Sequence, residues 1–258
     1  MGVEEDSRLG ASEKGDGGGA PVVFLHGFGM TREVWAHVVQ PAIAQTHRTI
    51  AFDLPGHGAS LAYPDALNAG KFAKAVAGEL DRRCIGRVHL VGHSMGGATA
   101  TLLATSVPER VASLMLLAPG GFGPEINHRL IRRFGAARSE EAILAALEMM
   151  FGWRHPVPEG LVRSLSVMRA APGQAEALDL ISSRMTRDGL QGVIPREALA
   201  LLDIPVTVVW GGQDCVLPAS QARGLPPHFS VQLLPEAGHM LVEEAPETVI
   251  ALLRDQLA

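Results

Sequence analysis

The chain has 258 residues, a formal net charge of −5 and a hydrophobic content of 47%. These values are typical of one large folded α/β domain, or of one domain with an insertion, and they exclude a wholly disordered chain. Because lysine and arginine never exceed two adjacent residues, nothing in the charge pattern favours binding to nucleic acid.

The two cysteines, Cys84 and Cys215, are far apart in the sequence, and neither belongs to a C-x-x-C pair. We therefore expect neither a disulfide framework nor a thiolate metal site. The acidic start Met1–Asp6 lacks the apolar core of a signal peptide, and no apolar run reaches the ~18 residues that a membrane span requires. The sequence predicts a cytoplasmic protein that does not bind membranes, and it leaves the oligomeric state open.

Residues 1–20 are polar and rich in glycine, which predicts a flexible lead-in. Beyond them the chain carries six short apolar runs of strand length. The runs are Val22–Leu25, Thr49–Phe52, Val88–Val91, Leu114–Ala118, Val206–Trp210 and Val231–Leu234. Continuous apolar runs favour strands that are covered on both faces, as in a parallel sheet. Helical patterns lie between the runs, at Lys71–Cys84, Gly97–Thr105 and Glu247–Leu257. This alternation is typical of a doubly wound α/β sheet.

Residues 120–195 interrupt the alternation, because they contain no convincing strand pattern. Three amphipathic helices are predicted there instead, at Glu140–Phe151, Pro158–Met168 and Pro172–Met185. Such an insertion predicts a helical cap over the carboxyl edge of the sheet, between core segments 21–119 and 196–258. The cap should line a mostly apolar acyl pocket, to which we expect Leu147 and Leu165 to contribute.

The strand Val88–Val91 runs into Gly92–Gly97, with the sequence GHSMGG, and an apolar helical pattern follows. A G-x-S-x-G motif between a strand and a helix requires a very tight turn, which holds the serine hydroxyl clear of the backbone. The dipole and the first amides of the helix then point toward a developing oxyanion. The pattern predicts that Ser94 is a nucleophile. The alternative, an ordinary glycine-rich turn, is disfavoured by the strand before the motif and the helix after it.

A serine nucleophile of this kind needs two backbone N–H donors to stabilise the oxyanion. One donor follows the nucleophile directly, which identifies the amide of Met95. The other comes from the loop after an earlier strand, where His26–Gly29 (HGFG) makes the amide of Phe28 the candidate. We expect His26 to brace this loop rather than to act in catalysis.

The acid and the base are predicted from the ends of the last two strands. Asp214 follows one strand, and His239 follows the next, before the final helix. The order Ser94, Asp214, His239 is that of hydrolases with a strand–serine–helix turn. His228 is the rival base, but it precedes the last strand and should lie at the opposite edge of the sheet. The rival acids are interpreted as solvated residues around a helix start: Glu236, Glu243 and Glu244.

The remaining motifs predict neither a cofactor nor a metal. Asp53–Gly58 (DLPGHG) places an aspartate and a histidine around a Pro-Gly turn after a strand, and we interpret both side chains as structural. His93, at the variable position of the serine motif, should pack near the oxyanion loop. No G-x-G-x-x-G follows any strand, so a dinucleotide site is not expected.

From about Pro21 to Ala258, the chain resembles the α/β-hydrolase family. The motifs that carry the resemblance are HGFG at 26–29, DLPGHG at 53–58, GHSMGG at 92–97, WGGQD at 210–214 and GHM at 238–240. The resemblance implies the α/β-hydrolase fold, a mostly parallel doubly wound sheet with an inserted helical cap. Within the family, Ala118–Asn127 and Val208–Gly212 are similar to the hydrolase-like C-terminal domain of the dihydrolipoamide acetyltransferase component of acetoin-cleaving complexes.

The sequence therefore predicts a serine hydrolase that cleaves a small-molecule carboxylic ester or thioester through an acyl-serine intermediate. Ser94 is the nucleophile, His239 the base and Asp214 the acid that orients it. Two alternatives stay open. One is an acyltransferase related to the acetoin component, although such components carry a lipoyl domain for which this chain has no room. The other is an inactive binding protein on the same fold.

Overall fold

The computed structural model describes residues 8–64 and 68–258. Its main feature is a seven-stranded sheet. The strands in chain order are β1 (Ala11–Lys14), β2 (Val22–Leu25), β3 (Thr49–Phe52), β4 (Val88–His93), β5 (Val111–Leu117), β6 (Thr186–Arg187), β7 (Leu190–Gln191), β8 (Val206–Gly211) and β9 (Ser230–Leu234). In space the sheet has the order β1-β3-β2-β4-β5-β8-β9, and β6 and β7 form a separate antiparallel ribbon.

All neighbouring strands of the sheet are parallel except β1, which is antiparallel to β3. The carboxyl ends of the six parallel strands therefore meet at one edge, where open α/β sheets bind their ligands. Strands β2, β3 and β8 are buried along their whole length, because helices cover both faces. All six strands predicted from apolar runs are confirmed, with β4 extending to His93 and β5 beginning at Val111.

Helices surround the sheet. They are α1 (Glu33–Ala36), α2 (Val39–Ile43), α3 (Ala69–Arg82), α4 (Met95–Ser106), α5 (His128–Ala136), α6 (Glu140–Leu147), α7 (Glu159–Arg169), α8 (Gln174–Met185), α9 (Arg196–Ala200), α10 (Leu241–Glu244) and α11 (Pro246–Leu257). Helix α3 packs on α4, and α2 packs on α11. The largest buried side chains between these helices and the sheet include Trp35, Trp210, Phe24 and Phe52. This is the predicted doubly wound α/β architecture.

Strand β1 lies where the sequence predicts a flexible lead-in, so that prediction is wrong for Ala11–Lys14. The strand has the sequence ASEK and lacks the apolar run by which the others were recognised. Backbone pairing with β3 holds it in the sheet, and the side chain of Gln40 donates a hydrogen bond to Ser12 O at 3.0 Å. Residues 1–7 of the predicted lead-in lie outside the described residues.

Four helices, α5 to α8, occupy the segment in which the sequence predicts a three-helix cap. Helix α5 was missed because its sequence, HRLIRRFGA, is basic and short, although it buries Leu130, Ile131 and Phe134. The side chain of Asn127 caps it by accepting a hydrogen bond from Leu130 N. Helix α5 packs on α6 and α8, and α6 packs on α7. The β6–β7 ribbon also lies in this segment, for which no strand was predicted.

Candidate active site

Ser94 lies in a strained turn between β4 and α4. Its φ and ψ angles are 53° and −115°, a conformation that residues with a Cβ rarely adopt. The surrounding backbone holds it there. Ser94 N donates to Leu117 O at 2.9 Å, and Ser94 O accepts from Ala98 N at 3.0 Å and from Gly120 N at 2.9 Å. The turn is thus fixed to β5, to α4 and to the loop after β5.

The positions of Gly92 and Gly96, on either side of Ser94, have no room for a side chain. A Cβ on Gly92 would overlap the carbonyl oxygen of Gly96, and a Cβ on Gly96 would overlap the carbonyl oxygens of Leu25 and His26. All of these obstacles are backbone atoms, which cannot move aside as a flexible side chain can. The G-x-S-x-G spacing therefore follows from the packing of this turn against the end of β2.

His239 and Asp214 form a buried pair beside the serine. His239 Nδ1 lies 2.8 Å from Asp214 Oδ2, and their side chains are 4% and 0% exposed. Asp214 Oδ1 accepts hydrogen bonds from Val216 N and Leu217 N, each at 2.8 Å. Since the carboxylate can only accept, His239 Nδ1 carries a proton, and Nε2 is the free ring nitrogen. The His239 ring and Ser94 line the same small cavity.

The loop after β2 runs directly beside the serine. A Cβ on Gly27 would lie 3.3 Å from Ser94 Cβ and 2.9 Å from His93 Nδ1. Phe28 follows and lines the cavity that Ser94 and His239 share. Met95 is the first residue of α4, so its N–H has no acceptor within the helix. The two amides predicted as oxyanion donors thus belong to the two segments that adjoin Ser94.

Two buried histidines brace this loop. His26 Nε2 accepts from Leu54 N at 2.9 Å, and its Nδ1 lies 2.8 Å from Gly27 O. His57 Nε2 accepts from Gly29 N at 3.1 Å. Burial lowers the pKa of His26 to about 4. Burial and the neighbouring ring of His26 lower the pKa of His57 to about 3. Both rings are therefore neutral at pH 7 and act as bracing groups, in agreement with the structural role expected of them.

His93 holds the backbone of the predicted base. Its Nε2 lies 2.8 Å from His239 O, and the centroids of the two rings are 4.9 Å apart. Burial, followed by the neighbouring His239, lowers the pKa of His93 to about 3. A neutral ring that donates through Nε2–H fits this contact. The sequence placed His93 near the oxyanion loop, which is correct, but gave no sign of its contact with His239.

Ser94 also lines a second, larger cavity of about 360 Å³. Most of its wall is apolar, with side chains from helices α3 and α4 and from the 181–195 segment, and the polar residues Asn68, Arg184 and Gln191 also line it. The apolar side chains include Phe72, Ala98, Leu102, Ile181, Met185 and Ile194. The expectation that Leu147 and Leu165 line this space is wrong. Leu147 is fully buried among the helices, and Leu165 faces a separate groove.

The rival acids do not share one environment. The Glu236 side chain is 59% exposed and lies 3.4 Å from Arg154, as expected of an acid in contact with solvent. That expectation is wrong for Glu244, which is buried and accepts hydrogen bonds from three backbone amides. It is also wrong for Glu243, whose Oε2 atom is buried. The rival base His228 lies before β9, with its Nε2 3.1 Å from Leu202 O. It is therefore at the opposite edge of the sheet, as expected.

Residues 8–64 and 68–258 contain neither a metal-binding cluster nor a membrane-spanning helix. Within these ranges, no group of three or more histidine, cysteine, aspartate or glutamate side chains is placed to hold a metal ion. Over the same ranges, no helix is both long enough and apolar enough to cross a membrane.

Comparison with known proteins identifies the family. The sequence model described as "Alpha/beta hydrolase family" matches residues 22–252, which is most of the chain. This protein therefore belongs to the alpha/beta hydrolase family, and the resemblance inferred from the motifs is confirmed. A solved structure with the same fold is the 2-hydroxy-6-oxo-6-phenylhexa-2,4-dienoate hydrolase from Rhodococcus sp. strain RHA1. It has a TM-score of 0.84 and 23% identity, over 96% of this chain and 94% of that one.

Two curated relatives are more similar in sequence. Both are named as the dihydrolipoyllysine-residue acetyltransferase component of an acetoin cleaving system. The Cupriavidus necator protein is 35% identical over 97% of this chain, and the Pseudomonas putida protein is 37% identical over 92% of it. The matches cover 66% and 63% of those two proteins. The chain thus spans slightly less than two thirds of the length of these relatives.

Proposed function

We propose that this protein is a serine hydrolase that cleaves carboxylic esters or thioesters through an acyl-serine intermediate. The observation that carries the proposal is the His239–Asp214 pair beside Ser94, with a 2.8 Å contact between Nδ1 and Oδ2. Two further amides fix Asp214 Oδ1, so the carboxylate holds the imidazole in one tautomer. The strained turn presents Ser94 to the same cavity.

The chemistry proceeds in two halves. His239 Nε2 takes the proton from Ser94 Oγ while the oxygen attacks the carbonyl carbon of the substrate. The amides of Phe28 and Met95 stabilise the resulting oxyanion. His239 then gives its proton to the departing alcohol or thiol, which leaves an acyl group on Ser94. Water, activated by the same histidine, attacks the acyl-serine and releases the acid.

The apolar cavity supports an acyl chain as the group bound beside Ser94. Its volume of about 360 Å³ lies within the ~300–1,000 Å³ range of small-molecule sites. Because its wall is mostly apolar, medium-length acyl chains should be hydrolysed faster than acetate esters of the same alcohol. A panel of esters and thioesters of graded chain length measures this preference as kcat/KM.

The proposal is tested with a fluorophosphonate probe, which reacts with activated serines. Ser94 should be the single labelled residue, and Ser94→Ala should abolish both labelling and turnover. Labelling at another residue, or full activity of the alanine variant, contradicts the proposal. If the intact protein neither labels nor turns over any ester or thioester of the panel, the remaining alternative is an inactive binding protein on this fold.

Acyl transfer is the second candidate, because the two acetoin-system relatives are named as acetyltransferase components. Hydrolysis and transfer share the acyl-serine and differ in what attacks it. Water is present at ~55 M, so a dilute acceptor competes only when a site binds it and gives it a high effective molarity. We expect the free acid to dominate even with millimolar dihydrolipoamide or coenzyme A. A thioester as the main product, saturating with acceptor in mass-spectrometric analysis, favours transfer instead.

A further inference from the structure

Glu244 binds the two residues that flank His239. It lies at the end of α10, and its buried carboxylate uses both oxygens. Oε2 accepts a hydrogen bond from Gly238 N at 2.8 Å, and Oε1 accepts one from Met240 N at 2.9 Å. The backbone on each side of the predicted base is thus held by one carboxylate.

The third donor to this carboxylate comes from a distant part of the chain. Gly152 N donates to Glu244 Oε2 at 2.7 Å, so Gly152 and Gly238 share one oxygen. Gly152 belongs to the turn that follows α6, and Met150 in the same turn accepts a hydrogen bond from His239 N at 2.7 Å. Glu244 therefore joins the loop that carries His239 to the end of α6.

The contact between these two segments has no room for side chains. A Cβ on Gly238 would overlap Met150 O, and a Cβ on Gly152 would overlap Glu236 O. Backbone therefore lies directly against backbone, and the amides of both glycines are brought to the same carboxylate oxygen. Removing that acceptor leaves buried N–H groups without a partner, which is costly.

We infer that Glu244 is a positioning residue for His239 and that it keeps the imidazole in place between Asp214 and Ser94. This inference rests on the proposed serine hydrolase function. Charge-assisted hydrogen bonds to a carboxylate are stronger and shorter than neutral ones, so three of them make the loop rigid. Rigidity matters here because a displacement of ~1 Å in a catalytic group can reduce the rate by ~10²-fold.

The neighbouring Glu243 provides a matched control. Its Oε2 is buried but has no hydrogen-bond partner, and it lines a groove away from Ser94. Glu243→Gln and Glu244→Gln make the same carboxyl-to-amide change one residue apart. In Glu244→Gln an amide NH₂ group replaces one of the accepting oxygens, so at least one backbone donor loses its partner.

The test is steady-state kinetics of both variants on a p-nitrophenyl acetate substrate, at a temperature where each is folded. For Glu244→Gln we expect kcat to fall by ~10–100-fold, the scale of a displaced catalytic group, with KM changed by less than about twofold because Glu244 does not line the cavities at Ser94. Glu243→Gln should keep the parent kcat. A purely structural role of Glu244 would lower thermal stability and leave kcat of the folded variant unchanged, and that result would overturn the inference.

Gly152→Ala disturbs the same contact through the segment that follows α6, and it therefore provides an independent variant. It should reproduce the loss of kcat at constant KM. The double variant Gly152→Ala/Glu244→Gln should lose much less than the product of the two single losses, because both act on one loop. If Glu244→Gln does not fold, Gly152→Ala decides alone, and a parent-like kcat would refute the inference.

Failure of this inference is distinguishable from failure of the proposed function. If Ser94 is labelled by fluorophosphonate and Glu244→Gln behaves like Glu243→Gln, the serine hydrolase proposal stands and only the positioning role is wrong. If Ser94→Ala keeps full turnover, the proposed function is wrong, and Glu244 then has no catalytic base to position.

Discussion

The turn that carries Ser94 and the loop that carries His239 are held in place by different means. The serine turn is fixed by its own glycines and by backbone hydrogen bonds to the adjoining strand and helix. The histidine loop is fixed by side chains and by contact with Met150 and Gly152, about ninety residues earlier in the chain. A local motif thus encodes the position of the proposed nucleophile, whereas the position of the proposed base depends on tertiary contacts.

The largest expected effect concerns the histidine side of this comparison. Asp214→Asn should keep the fold but reduce kcat by up to ~10⁴-fold, the scale found when a triad histidine takes the wrong tautomer. The amide group of asparagine can donate a hydrogen bond to Nδ1, which would place the ring proton on Nε2 and prevent it from accepting the serine proton. Steady-state kinetics measure the loss.

Asp203→Asn is the control for this change, because Asp203 is exposed and should tolerate the substitution. If Asp214→Asn retains most of its activity while Glu236→Gln loses it, Asp214 is not the acid that orients the base.

The serine side is tested by Gly96→Ala. The added Cβ meets two backbone oxygens at the end of β2, so the free energy of unfolding should fall by about 1–3 kcal/mol or more. The rate of fluorophosphonate labelling should fall with it, since the turn must open. Chemical denaturation and labelling kinetics measure the two effects.

Gly160→Ala is the matched control. A Cβ at Gly160 in α7 meets nothing within 4 Å, and the substitution should stabilise the protein by about 0.5–1 kcal/mol. Equal destabilisation by both changes would show that the turn at Ser94 has no special requirement for glycine.

The buried histidines make stability depend on pH. The folded protein keeps His26, His57 and His93 neutral, with pKa values of about 4, 3 and 3, whereas the unfolded chain protonates them near 6.5. Their contribution is fully present above pH 6.5 and is lost as the pH falls from there toward 4 and 3. The limiting slope is about 1.4 kcal/mol per pH unit for each histidine.

His57→Gln should remove the contribution of one histidine to the dependence of the unfolding free energy on pH between pH 6 and 4. Glutamine can still offer an oxygen to Gly29 N, so the loop keeps an acceptor. The measurement is the free energy of unfolding in denaturant at pH 7, 6, 5 and 4. His37→Gln, at an exposed position, should leave the slope unchanged, and an unchanged slope in His57→Gln would contradict the assignment.

A pH effect of the opposite sign is expected from Glu243→Gln. Burial, together with the charge of Glu244, raises the pKa of Glu243 to about 8, above its ordinary value. The stability that this residue contributes is therefore present at low pH and lost as the pH rises toward 8. Glu243→Gln should match the parent near pH 4.5 and become progressively more stable than the parent as the pH rises toward 8.

Thermal unfolding at pH 5 and pH 8 measures this difference. A constant difference between the two pH values would show that Glu243 does not titrate in this range. If Glu243→Gln also lowers kcat, it fails as the control for Glu244→Gln, and the charge of α10 as a whole would matter instead.

The sequence predicted those parts of the molecule whose signal is local. Continuous apolar runs identified every parallel strand, and G-x-S-x-G between a strand and a helix identified Ser94. Asp214 and His239 could be named because each follows a strand end that the topology brings to the same edge. Their catalytic roles stay predictions until the variants are measured.

What the sequence could not predict depends on contacts between distant segments. The strand β1 is polar and is recognisable only through its partner β3. Glu244 looks like one of several acids at a helix start, and its burial follows from Gly152. Arg169 lies one residue beyond the helix predicted at Pro158–Met168, and nothing in the sequence indicated that it is buried and donates to Phe134 O and Ala137 O at the end of α5.

The polar strand β1 also makes the two edges of the sheet unlike each other. It covers the free edge of β3, whose residues are fully buried, and its Glu13 is paired with Arg48 and Arg83. A short, charged edge strand resists pairing with a strand of another molecule. At the far edge of the sheet, β9 leaves Val231 and Leu233 exposed. The two edges of the sheet therefore differ: β1 closes one with a charged strand, whereas β9 leaves apolar side chains exposed at the other.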